Sequence, residues 1–150
     1  MRSYLVVIDE SEEARAALRF AARRAARLGG TVEILALTAQ AEFVQWGGVQ
    51  ATMEEESRLR AEAMVLQASG AIMEEAGIRP TITVRQGDPV KAINELLAER
   101  EDIAGLVLGA GKETPGPLIT HFAGAAAGSL PCPLTIVPAG LGEDVLDKLN

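Results

Sequence analysis

The chain has 150 residues, 48% hydrophobic and 23% charged, which fits a single globular domain and excludes a disordered tract. Lys+Arg 14 against Asp+Glu 21 leaves a net charge of −7, which repels phosphate backbones and anionic lipid; neither nucleic acid nor a membrane is an expected partner. The single Cys132 cannot close an internal disulfide, no apolar run reaches the ~18–20 residues of a membrane helix, and Met1–Tyr4 leads into a run too short for a signal peptide, so a cytoplasmic protein is expected.

Short apolar runs alternate with stretches of 3.6-residue period, the signature of α/β construction. Tyr4–Ile8 is continuously apolar, as a strand buried on both faces should be. Ser11 is a good N-cap, Glu12 and Glu13 favour the positive end of a helix, and Ala14, Ala17, Leu18, Ala21, Ala25 and Leu28 recur on one face before Gly29-Gly30 stops it. Val32–Leu37 is the second strand, followed by a loop over 38–50 that carries Phe43 and Trp46, either a lid or a packing element. A second helix over about 51–76 has Leu59, Ala63, Leu66, Gly70 and Met73 on one face. Thr81–Arg85 alternates polar and apolar, predicting a half-exposed edge strand. Asp88-Pro89 caps a third helix whose inner face is Val90, Ile93 and Leu97. Ile103–Leu108 is fully apolar and opens into a glycine- and proline-rich loop from Gly109 to Pro117. A fourth helix is expected over about 117–129. Leu134–Val137, between Pro133 and Pro138, predicts a second edge strand.

Helical crossovers make the strands parallel, and the two most apolar runs belong in the centre. The expected architecture is therefore a five-stranded parallel sheet of order 3-2-1-4-5 with helices on both faces. Ligands bind such sheets outside the carboxyl ends at the switch point, here between strands 1 and 4, at Asp9 and Gly109 to Lys112.

Across nearly the whole chain the sequence resembles the universal stress protein family. The resemblance rests on Val7-Ile8-Asp9-Glu10-Ser11-Glu12, on Gln86-Gly87-Asp88-Pro89, on Leu106-Val107-Leu108-Gly109 and on Pro131-Cys132-Pro133-Leu134-Thr135-Ile136-Val137-Pro138. It implies a Rossmann-like, adenine nucleotide alpha hydrolase-like fold, a stress-response binding module, frequent homodimers, and ATP (with Mg²⁺) as ligand in one subgroup. Val7, Asp9 and Leu37 match the family's base and ribose contacts, and Leu108 and Gly109 match the start of its phosphate loop. The Gly-x2-Gly-x9-Gly-Ser/Thr motif of the ATP-binding members is broken: counted from Gly109, Lys112 and Phe122 stand at the later glycines, and with Gly111 as the second glycine, Leu108 and His121 do. A slipped frame puts Thr120 at the hydroxyl position with Lys112 as compensating charge.

Asp9 and Glu10 suit either a ligand or simply the helix N-terminus. Gly109-Ala110-Gly111-Lys112 offers backbone N–H groups and one cation to an anion, or is a plain loop. It is not a Walker A loop, because Leu106 and Glu113 stand where glycine and Ser/Thr are needed. His121 is the only histidine, and one His with one Cys cannot build a zinc site; no catalytic residue or metal ligand is assigned. Cys132 reads as an inert packed thiol. Arg15, Arg19, Arg23 and Arg27 form a stripe that reads as a solvated helix face, and Glu54–Arg58 and Glu56–Arg60 as i,i+4 pairs. The apolar edge Leu134, Thr135, Ile136 and Val137 is the expected dimer contact. The alternatives are a nucleotide-hydrolysing or phosphoryl-transfer enzyme, and a degenerate phospho-receiver domain, which would need an aspartate near Arg85-Gln86 and a lysine near Pro138-Ala139.

Overall fold

The computed structural model describes residues 2–9, 11–38 and 47–150, the last from residue 55 on with side chains. Strands β1 (Ser3–Ile8), β2 (Thr31–Thr38), β3 (Thr81–Gln86), β4 (Ile103–Ala110) and β5 (Leu134–Pro138) form one parallel sheet of order β3-β2-β1-β4-β5. Side chains alternate across a strand, so each central strand feeds two cores. Val6, Ile8, Ile34, Ala36 and Val107 face helices α1 (Glu12–Leu28) and α2 (Gly47–Ala76). Leu5, Val7, Leu35, Leu106 and Leu108 face α3 (Pro89–Glu99) and α4 (Pro117–Ala123).

The helix ends follow from their residues. Ser11 Oγ accepts the Ala14 N–H at 3.2 Å, and Gly29, at φ 72°, closes α1 with its own N–H on the Ala25 carbonyl. Asp88 caps α3 by accepting the Val90 N–H at 3.3 Å, with Pro89 in the first turn.

Four expectations need correction. The fourth helix stops at Ala123: the backbone breaks at Gly124, and only a 3₁₀ turn, Ala127–Ser129, follows. The polar C-terminal stretch forms a fifth helix, α5 (Glu143–Lys148), which buries Leu146 against α1. The face of α2 read as its apolar side turns outward: Leu66 is 74% exposed and Leu59 and Met73 are exposed, while Ala61 and Ile72, the latter 2% exposed, are the buried positions. Half of the arginine stripe is not a solvated face. Arg19, 17% exposed, holds Glu75 of α2 at 2.6 Å and Asp147 of α5 at 3.2 Å, and Arg23 reaches Asp147 at 2.7 Å. Burial opposes the Arg19 charge, but its bond to Asp147 and the charges of Glu75, Asp147 and Glu143 outweigh this and raise its pKa.

Strand β3 lies at the edge, as expected, with its aliphatic side chains on the exposed face. Ile82 and Val84 are exposed, whereas Thr81 and Thr83 donate their hydroxyls to Glu33 of β2, a carboxylate only 1% exposed. Arg100 completes that site, its Nη1 3.1 Å from Glu33 and its Nη2 holding Asp102 at 2.7 Å. A buried carboxylate is tolerable only when hydrogen-bonded and paired, and Glu33 is both.

Candidate functional site

Where β1 and β4 diverge to opposite helices, a cleft of about 390 Å³ opens at their carboxyl ends. Its apolar walls come from Val7 of β1, Leu37 of β2, Leu108 of β4, Val90 of α3 and Leu118 and Ile119 of α4. This volume lies within the ~300–1,000 Å³ typical of small-molecule sites. Asp9 stands at the mouth just past β1, its Oδ1 accepting the Ser11 N–H at 2.7 Å. The charged residues lining the cleft are Asp9, Glu13 and Asp88; no Lys, Arg or His is among the described lining.

Of the residues marked in the sequence, Val7, Asp9, Leu37, Leu108 and Gly109 meet in this cleft, and Gly111, Lys112, Thr120 and His121 do not line it. Lys112 is exposed, its Nζ 3.7 Å from Glu12. The Thr120 hydroxyl donates to the Gly116 carbonyl at 3.1 Å, one turn back along α4. His121 is half-buried with its ring edge-on to Phe122, centroids 4.9 Å apart. Gly109 has a steric role of its own: a Cβ there would stand 1.9 Å from the Glu13 carbonyl oxygen, so α1 seats directly on β4. Gly111 makes a similarly close turn against the Thr114 carbonyl.

Sequence reasoning missed Asp88, Val90 and the Pro115–Ile119 wall. Their signal was the Asp88-Pro89 cap: it begins just past the carboxyl end of β3, on the same side of the sheet as the switch point. Glu10, Phe43 and Trp46 lie outside the described residues, as does the side chain of Glu54. Arg58 pairs with Glu55 and Glu62, and Glu56 and Arg60, both described, form no ion pair with each other. Cys132 is half-buried, and burial pushes its thiol pKa up, as suits an inert packed thiol. No cluster of three or more His, Cys, Asp or Glu fit to hold a metal exists among the described residues, and none of their helices is long and apolar enough to cross a membrane.

A parallel sheet of this order with a cleft at its switch point defines an open, Rossmann-like α/β domain. The chain belongs to the universal stress protein family, whose family model matches residues 1–138. Among solved structures it is similar to the universal stress protein UspA from Lactobacillus plantarum, with 17% identity, 91% of this chain and 97% of that one covered, and a TM-score of 0.78. It is also similar to a universal stress protein in complex with cAMP (19% identity, 91% and 96% covered, TM-score 0.60). A third, from Archaeoglobus fulgidus in complex with dAMP, has 17% identity, 91% and 98% covered and a TM-score of 0.59. At these identities the likeness is one of fold. No match is found among curated protein sequences.

Proposed function

We propose that this chain is a non-enzymatic regulatory module that holds an adenine nucleotide by its base and ribose, with little grip on the phosphates. The observation that carries the reading is the charge of the cleft: apolar walls at Val7, Leu37 and Leu108, and Asp9, Glu13 and Asp88 as its charged lining. Apolar walls suit a purine ring, and a carboxylate at the mouth suits ribose hydroxyls as an acceptor. A triphosphate would meet carboxylates rather than cations, and the nearest sequence-marked cation, Lys112, is paired with Glu12. The cAMP and dAMP complexes of similar folds, both monophosphates, support the ligand class.

Calorimetry with adenosine, AMP and ATP on the wild type and Asp9→Ala tests this. The three ligands should bind within about threefold of one another, and Asp9→Ala should weaken all three, since a hydrogen bond to a charged group is worth about 1.5–3 kcal/mol. Submicromolar ATP binding with strong preference over AMP would refute it, and steady-state phosphate release above a buffer blank would establish the hydrolytic alternative. The same reading includes a homodimer through β5, the sheet edge where Ile136 is exposed beside half-buried Leu134 and Thr135 and buried Val137. Ile136→Lys should then shift the protein toward monomer in light scattering.

A further inference from the structure

A second concavity of about 390 Å³ lies on the opposite face of the sheet, between α1 and α2. Leu18 and Ile72 lie deep in it, and small side chains, Ala14 on α1 and Ala68 and Ala71 on α2, leave its walls open. The trough is open to solvent along Arg60, Ala63 and Gln67, all exposed, which leaves an entry for a ligand. Its charges are unequally engaged. Arg19 is committed to Glu75, Glu143 and Asp147, and Arg15 has an interaction of its own. Arg60, on the α2 side, makes no hydrogen bond or ion pair with any described residue. The trough therefore combines an apolar channel with one uncompensated cation.

We infer that the groove between α1 and α2 binds a medium-chain alkyl carboxylate, its chain along the alanine walls and its carboxylate beside Arg60. At the ~30 Å³ that a water-sized group occupies, the space holds about a dozen heavy atoms, the size of decanoate. A second anionic group is disfavoured because Asp9, Glu75 and Glu143 also border the groove. The groove shares Ile8, Asp9 and Ala14 with the cleft, but Arg60, Ala63 and Ala71 line the groove alone, so a test at those positions does not depend on the nucleotide reading.

Titration of isotope-labelled protein with butanoate, hexanoate, octanoate and decanoate, below micelle formation, decides the matter. The amides of 14–19 and 63–72 should shift, and affinity should rise about fourfold per added methylene, the gain expected from burying each CH₂. Decanol should bind about fivefold more weakly than decanoate, and Arg60→Glu should lose at least as much. Ala63→Trp, at the exposed rim, should abolish binding; Ala71→Trp serves if the first variant fails to fold, and unchanged sheet amides report the fold of either. No shift in these helices at any chain length, affinity independent of chain length, equal binding of decanol and decanoate, or undiminished binding in both folded tryptophan variants would each overturn the assignment.

Discussion

Replacing Gly109 with alanine separates two reasons for a glycine at the end of β4. If the residue is small only to admit phosphate, the variant folds as well as wild type and loses only nucleotide affinity. The geometry predicts otherwise, because the new Cβ would lie 1.9 Å from the Glu13 carbonyl oxygen, 2.4 Å from its carbon and 2.9 Å from its Cβ. The obstacle is helix backbone, so relief requires α1 to move as a body off β1 and β4, against which it packs. Overpacking of a core typically costs about 1–3 kcal/mol, and a clash with backbone belongs at the upper end, about 3 kcal/mol. For a chain of this length that is a fall in Tm of about 6–12 °C. Urea denaturation followed by circular dichroism should show a lower midpoint with an unchanged slope. Gly70→Ala is the matched control: Gly70 lies within α2 with nothing within 4 Å of a built Cβ, and alanine there should stabilise by about 0.5–1 kcal/mol. A Gly109→Ala variant within 0.5 kcal/mol of wild type would refute the seating of α1 on β4.

Three further outcomes are expected. Ile72→Ala should cost about 2–5 kcal/mol while Leu66→Lys stays within about 0.5 kcal/mol of wild type, both by urea denaturation; the reverse ranking would mean that α2 buries its other face. Arg19→Ala should cost about 1–2 kcal/mol, less than a fully buried pair because the Arg19 side chain is 17% exposed, and should speed hydrogen exchange in α5 before the sheet. The Arg100 hydrogen bond holds the Asp102 carboxyl below the ordinary carboxylate range, so its contribution is present above about pH 4 and lost as pH falls through the lowered folded value. Asp102 is 39% exposed, so the effect is below about 1 kcal/mol: Asp102→Asn should be slightly less stable than wild type at pH 7 and equal to it at the acid end, and a gap that persists there would contradict the linkage.

The architecture was legible because it follows from a few local quantities. A strand covered on both faces must be apolar throughout, which set the runs Tyr4–Ile8 and Ile103–Leu108 at the centre. Alternation in Thr81–Arg85 and prolines around Leu134–Val137 marked the two edges, and helical crossovers forced parallel pairing. From that order the switch point followed, and with it the meeting of Val7, Asp9, Leu37, Leu108 and Gly109. Caps at Ser11 and Asp88 were equally plain, because a capping bond spans only two or three residues.

Whatever depended on which of two comparable surfaces meets a distant element was decided by tertiary structure. Helix α2 carries one stripe through Leu59, Ala63, Leu66, Gly70 and Met73 and another through Ala61, Val65, Ala68 and Ile72; both keep helical period, and only packing against the sheet and α1 selects the second. The alternation in β3 fixed its period but not its sign: Glu33, 48 and 50 residues away in sequence, takes the two threonine hydroxyls, and Ile82 and Val84 are left exposed. Arg19 and Arg23 looked like solvated charges until α5, too short and polar to announce itself, brought Asp147 to them. At Gly109 the sequence displayed a missing side chain, and the backbone that fills its place belongs to a helix distant in the chain, at Glu13. Periodicity and capping act within a few residues and can be read along the chain; the sign of a face and the cause of a small residue depend on what lies opposite, which only the closed sheet and its helices supply.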